Sequence, residues 1–173
     1  MLILQTNILC ANYSSIGLRA HRIGTDDNLR LDHQLCFALY AASHAVTRAY
    51  REGLGKLGLT YPQYLVLLAL WDEGTMSVGQ LARRLQLDPS TLSPILKRLA
   101  ETRFVVRERD PDEERVVRIS LSRKAHDIRR RLAPLQSKVA CDTGHDEKSF
   151  RALRTSLHEL SRTMASRREQ SIA

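Results

Sequence analysis

Aromatic residues make up only 5% of the 173-residue chain, which holds 8 glycines and 5 prolines. So few sheet formers and turn formers disfavour a β-sandwich or barrel. Nowhere do eighteen apolar residues follow one another, which excludes a membrane-spanning helix. The three cysteines, Cys10, Cys36 and Cys141, are an odd and scattered set. They suit neither a disulfide-stapled secreted domain nor a zinc ribbon, and they point to a reducing cytoplasm. The opening stretch from Met1 to Ala11 is apolar, yet it lacks the basic start and small-residue cleavage site of a secretion signal. Residues 1–30 are therefore expected to be a mobile N-terminal arm, with Cys10 incidental to the rest.

What remains is enough for one folded domain: 43% of residues are hydrophobic and 27% charged, a balance that argues against wholesale disorder and for a mainly α fold. The net charge of +8 is unevenly spread. Residues 1–74 carry six basic and six acidic side chains, residues 75–131 fourteen and eight, and residues 132–173 seven and five. A basic centre between two nearly neutral ends is the footprint expected of a polyanion-binding surface, although a solvated salt-bridge surface would give the same count.

Leu31, Leu35, Leu39, Ala42, Val46 and Ala49 recur at three- and four-residue spacing behind Asp32, a candidate N-cap, and predict an amphipathic helix over 31–54. Tyr61-Pro62 opens a second helix running through Trp71, nearly all apolar from Tyr64 to Leu70 and so expected to be buried. Ser77 caps a short third helix carrying Val78, Leu81, Ala82 and Leu85. Asp88 and Pro89 start a fourth, with Leu92, Ile95, Leu96 and Leu99 inward, to about Arg103. Two β-branched runs, Phe104 to Arg109 and Val116 to Leu121, flank the turn-forming Asp110-Pro111-Asp112-Glu113-Glu114 and predict a hairpin. Helical spacing then resumes through Ile128, Leu132, Leu135 and Val139. It pauses at Cys141-Asp142-Thr143-Gly144 and continues through Phe150, Leu153, Leu157 and Leu160.

Two short helices, a tight turn and a charged hairpin form the order of a winged helix-turn-helix, and this unit coincides with the basic third of the chain. In such a module the second short helix enters the major groove. Ser90, Thr91, Ser93 and Pro94 on its N-terminal face are placed for base edges, and Lys97 and Arg98 for phosphates. At the hairpin tip, Arg109, Asp112 and Arg115 alternate so that the acid can brace a base, with Arg115 the first candidate for a wing contact. One module buries little surface, so a twofold pair on double-stranded DNA is expected. The amphipathic helices on either side of the reader are the candidate dimer interface, with packing inside one chain as the alternative.

Cys36 falls about one turn into the first predicted helix, where amide groups and the helix dipole stabilise a thiolate able to attack a peroxide. By itself such a cysteine is more often a small buried hydrophobe. However, the stretch from Leu31 to about Ser122 resembles the organic-hydroperoxide-responsive repressors of the MarR family. The resemblance lies in Leu35-Cys36-Phe37-Ala38-Leu39-Tyr40, Leu59-Thr60-Tyr61-Pro62-Gln63-Tyr64, Thr91-Leu92-Ser93-Pro94-Ile95-Leu96-Lys97-Arg98-Leu99 and the Asp-Pro-Asp-Glu-Glu-Arg wing. It implies a single winged-helix domain over 31–169, with 31–60 and 122–169 as dimerisation helices and 61–121 as the DNA-binding module. It also implies that Cys36 is the peroxide-reactive thiol, that Tyr50 and Tyr61 donate hydrogen bonds to it across the dimer, and that both help form an apolar pocket for an organic hydroperoxide. Tyr40 and Tyr64 read as packing.

Within that family the chain looks like the members whose oxidised sensor is resolved by a second protein cysteine. Cys141 of the partner subunit would then capture the sulfenic acid. The expectation is a cytoplasmic homodimeric repressor, not an enzyme and with no cofactor or metal. The rival within the same fold is release by a small phenolic ligand, with Cys36 only packing. A thiol peroxidase would leave the basic module unexplained, and a metal sensor would have only His33 and Cys36 as spaced ligands.

Overall fold

The computed structural model describes residues 29–113 and 115–170, and contacts divide the chain into two units, Met1–Ser43 and His44–Ala173. The expected arm lies outside the described residues except for Leu29 and Arg30, and so does Cys10. Among the described residues, six α-helices and three short strands follow in the order α1 (Leu35–Gly55), α2 (Tyr61–Glu73), β1 (Met76–Ser77), α3 (Val78–Leu85), α4 (Pro89–Glu101), β2 (Val105–Arg109), β3 (Val117–Leu121), α5 (Arg123–Asp142) and α6 (Glu147–Gln170).

The first helix starts later than its apolar spacing predicts. Leu31–His33 forms a separate 3-10 turn, and Gln34 breaks it from α1 with extended backbone at φ −85 and ψ 117. The carbonyl of Gln34, not Asp32, receives the first helical bond, from the Ala38 amide at 3.1 Å. Cys36 is therefore the second residue of α1 rather than a turn inside it. Further along, Gly53 admits α5: a Cβ there would stand 2.6 Å from Leu135 Cδ1, so a side chain would force that leucine away.

Local chemistry sets the boundaries of α2, α3 and α4. The Thr60 amide donates to Gln63 Oε1 at 2.9 Å at the start of α2. Ser77 and Gln80 exchange reciprocal bonds at the start of α3, at 2.7 and 3.2 Å, a pairing that satisfies two otherwise orphaned amides. Between α3 and α4, Gln86 turns the chain through the left-handed region at φ 54, and the Leu87 amide returns to the Ala82 carbonyl at 2.9 Å. Arg103 does the same after α4, at φ 61, with Phe104 bonded back to the Leu99 carbonyl at 2.8 Å. Both close the helix by joining the amide beyond the turn to the helix's last free carbonyls.

The hairpin is present, with Val105 opposite Leu121, Arg107 opposite Ile119 and Arg109 opposite Val117. It belongs to a three-stranded antiparallel sheet of order β1-β3-β2, because Met76 and Ser77 pair with Ile119 and Arg118. This third strand was not expected from the sequence. Leu67, Leu81, Leu92, Leu96, Leu99, Phe104 and Ile119 pack together, almost wholly removed from solvent, each contributing about 1.5–3 kcal/mol of apolar burial. Ser122 caps α5, accepting from the Ala125 amide at 3.3 Å.

The pause expected at Cys141 begins later. α5 runs through Cys141 to Asp142, supported by a Lys138–Asp142 ion pair at 2.8 Å, and the stop falls at Gly144, whose φ is +71. Cys141 thus sits on the last turn of a helix and not in a loop. Neither Cys141 nor Asp142 breaks a helix, whereas Gly144 readily takes the left-handed backbone that does. Apolar side chains remain exposed on α1, at Leu35, Tyr40 and Val46, and on α6, at Leu153, Leu157 and Met164. No helix among the described residues is long and apolar enough to cross a membrane.

Candidate functional site

α4 buries Leu92, Leu96 and Leu99 and turns Ser90, Thr91, Ser93, Pro94, Lys97 and Arg98 outward. The 3.6-residue period accounts for this division, since the three leucines fall on one stripe and Ser90, Pro94 and Lys97 near the opposite one. Asp88 precedes the helix with extended backbone and Pro89 occupies its first position. Arg98 leans on Glu101 at 3.3 Å, a pairing that an exposed helix surface makes worth little.

At the wing, Arg109, Asp112 and Arg115 are all exposed, but the acid that braces a base is not Asp112. Asp110, only 6% exposed, binds Arg118 Nε through Oδ2 and accepts the Asp112 amide on Oδ1 at 3.0 Å. Its own amide donates to the Val116 carbonyl at 2.8 Å. One carboxylate thereby ties the turn to β3, and Asp112 is left at the surface. The Arg118 hydrogen bond, followed by the Asp112 amide, holds the Asp110 carboxyl below the usual carboxylate range. A depressed carboxyl contributes stability above its unfolded-state value and loses it only as pH falls through the depressed one. The brace is therefore in place throughout the neutral range. Cross-strand pairing selects Asp110, because β3 carries Arg118 opposite Glu108 and two residues from the turn.

Both described thiols are free and exposed. Cys36 stands among the opening amides of α1, before the first helical bond. Such amides have no acceptor within the helix and favour negative charge near them. Cys141 stands at the opposite kind of helix end, on the final turn of α5.

The two tyrosines singled out in the sequence come together, and a third joins them. Ring centroids lie 5.3 Å apart for Tyr50 and Tyr61, 5.7 Å for Tyr50 and Tyr64, and 6.3 Å for Tyr61 and Tyr64. Tyr64, expected as packing, is 2% exposed and links the pair to the core. Its place one turn after Tyr61 on the buried face of α2 was the available signal. Tyr40 is exposed. Burial raises all three phenols, with the neighbouring phenols adding to the effect at Tyr50 and Tyr64, and Tyr64 is pushed up to about 12. They are neutral O–H donors at any physiological pH.

An acid whose folded pKa is raised contributes stability below its unfolded value and loses it as pH climbs to the folded one. Unfolding pressure from Tyr64 is accordingly expected to build between about pH 10 and 12. Alkaline titration followed by tyrosinate absorbance and circular dichroism checks this. Tyr64→Phe is expected to flatten that loss while keeping the ring in place.

A cavity of about 480 Å³ opens between α2, α3 and α5. Tyr64, Leu68, Trp71 and Leu132 form its apolar wall, and Arg84 and Arg129 stand among its lining residues. Arg84 is already engaged by Glu73 and, at 3.6 Å, by Asp72. The buried Trp71 Nε1 has no hydrogen-bond partner among the described residues.

The sequence profile of the MarR family matches residues 59–117, from the end of the α1–α2 turn to the first residue of β3. The HTH-type transcriptional regulator TtmR of Methylorubrum extorquens is 48% identical over 130 residues, which span 75% of this chain and 67% of TtmR. The organic hydroperoxide resistance transcriptional regulator of Bacillus subtilis is 35% identical over 138 residues, 80% of this chain and 94% of that one. Among solved structures, reduced AbfR bound to DNA superposes with a TM-score of 0.68 at 29% identity, over 82% of this chain and 99% of that one. The disulfide form of AbfR, a protein of Staphylococcus epidermidis, superposes with a TM-score of 0.57 at 31% identity, over 83% and 96%. Similarity of this extent, over a fold in which a capped short helix and a braced wing flank an exposed second helix, leaves one assignment: the chain belongs to the MarR family of transcriptional regulators.

Proposed function

We propose that this regulator is a redox-sensing repressor whose reduced homodimer binds operator DNA and lets go when Cys36 is oxidised by an organic hydroperoxide. Residues 31–60 and 122–169 form the dimerisation region, which would cover the apolar side chains left exposed on α1 and α6. Residues 61–121 form the reading module, with Ser90, Thr91, Ser93 and Pro94 toward base edges and Lys97, Arg98, Arg109 and Arg115 toward phosphates. Asp112 lies at the wing surface beside them.

The observation that carries the reading is an exposed free thiol at the second residue of α1, in a chain similar to a hydroperoxide-resistance regulator. The Cys36 thiolate attacks the distal peroxide oxygen, the O–O bond breaks, and the alcohol leaves after taking a proton. Sulfur is oxidised to sulfenic acid as the hydroperoxide is reduced. The thiol of Cys141 of the partner subunit then displaces water from that sulfenic acid to form a disulfide. Neutral Tyr50 and Tyr61 would donate to the reacting sulfur across the dimer, Tyr64 keeping their rings in register.

The test is to treat the reduced protein on its own upstream DNA with cumene hydroperoxide. Release is expected to coincide with a crosslinked dimer on a non-reducing gel, and both are expected to reverse with dithiothreitol. Release with no crosslink would remove Cys141 from the account.

The 480 Å³ cavity, with its unpartnered Trp71 indole N–H, favours a second reading in which a small phenolic ligand releases DNA without redox chemistry. Titration with aromatic acids under fully reducing conditions separates the two. The redox reading expects no release, and the ligand reading expects saturable release that Trp71→Phe weakens.

A further inference from the structure

Pro94 lies inside α4, on its exposed face, four residues after Ser90. A proline has no amide hydrogen, so the helical bond that residue 94 would donate to the Ser90 carbonyl cannot form. The ring also crowds that carbonyl and tips it away from the helix axis. The side-chain hydrogen bonds of α4 among the described residues end on Glu101 and on the Arg98 and Leu99 carbonyls, not on Ser90. Residues four apart share a helix face, so the freed oxygen sits beside the Pro94 ring, opposite the Leu92, Leu96 and Leu99 stripe.

We infer that the Ser90 backbone carbonyl is a base-reading group, an acceptor held open by Pro94 and directed at the exocyclic amine of a cytosine or adenine in the major groove. The inference rests on the reading of α4 as the groove-entering helix and adds to it a determinant of sequence choice. The hydroxyls of Ser90, Thr91 and Ser93 donate or accept and so discriminate weakly, whereas Lys97 and Arg98 only donate. A carbonyl only accepts. In the major groove cytosine N4 and adenine N6 offer it a hydrogen, while guanine O6 and N7 and thymine O4 present lone pairs and repel it. Pro94 thus acts through its missing hydrogen as a positioning residue, besides any apolar contact its ring makes with a thymine methyl.

The test uses the full reduced chain. Duplexes are selected from a randomised pool with the unsubstituted protein, and every adenine or cytosine of the best half-site is replaced in turn by purine or 2-pyrimidinone, which lack the exocyclic amine. Affinities are measured for the unsubstituted protein, Pro94→Ala and Pro94→Val. Both variants return an amide hydrogen to the Ser90 carbonyl, and the valine keeps apolar bulk. Because all three meet the same altered duplexes, differences in base-pair stability cancel between them.

At one half-site position the unsubstituted protein is expected to lose about tenfold in affinity when the amine is deleted, the scale of one hydrogen bond. Both variants are expected to lose less than about twofold there while retaining full helical ellipticity. Equal losses for all three proteins at every position would overturn the inference and leave the DNA-reading role of α4 standing. Failure of the unsubstituted protein to enrich any sequence would overturn both.

Discussion

Cys36→Ala is expected to bind DNA as tightly as the unsubstituted protein under reducing conditions and to stay bound after hydroperoxide treatment that weakens the unsubstituted protein about a hundredfold. That weakening corresponds to about 2.7 kcal/mol between the two states, a difference within the scale of a single covalent crosslink. The thiol is exposed and contributes nothing to the buried cluster, so its loss should cost little folding stability, and a changed response would report chemistry alone. Gel-shift titration before and after cumene hydroperoxide provides the measurement, with mass spectrometry of the Cys36 peptide as its companion. A variant that still dissociates on treatment would take the sensing role away from this sulfur.

The second large effect concerns the frame that holds α4. Leu96 is 1% exposed and lies at the centre of the inward stripe of α4. Leu96→Ala removes its packing and leaves a void that its neighbours only partly fill, at a cost of about 3–4 kcal/mol. Against a total of roughly 5–15 kcal/mol for a domain of this kind, the midpoint of thermal unfolding is expected to fall by about 10 °C. DNA affinity is expected to fall with it, because the same helix carries the packing on one face and the candidate base contacts on the other. Calorimetry and gel shift on one preparation check both. Unchanged thermal stability would mean that α4 is not held by this stripe.

Much of this was readable from side-chain period alone. The leucines of α4, the near-continuous apolar run of α2 and the serine cap of α3 each follow a local rule, and each element forms where its rule places it. What escaped depended on partners distant in sequence. Two residues, Met76 and Ser77, are too few to show an alternation, and they are a strand only because β3 lies alongside. Asp110 and Asp112 are equivalent as letters, and the brace goes to Asp110 because the register of β2 and β3 brings Arg118 to it. The start of α1 was misplaced because Asp32 has the chemistry of a cap but is taken up in a 3-10 turn. Tyr64 does pack in the core, as its spacing implies, but its contact with two other rings joins two helices and was not legible. The apolar faces of α1 and α6 were legible as amphipathic, but neither the sequence nor one chain by itself supplies what covers them.

The middle place of β3 in the small sheet has a mechanical result. Held on one side by the strand that leads into α3 and on the other by the rest of the wing, it prevents the hairpin and the helix pair from drifting independently. On the proposed function, a torque arriving along α5, which leaves β3 after a single residue, would turn the hairpin and the helix pair together like a key. In the proposed homodimer, two such heads on one duplex would fit or miss together, which makes a sharp switch of their separation more natural than a gradual loosening.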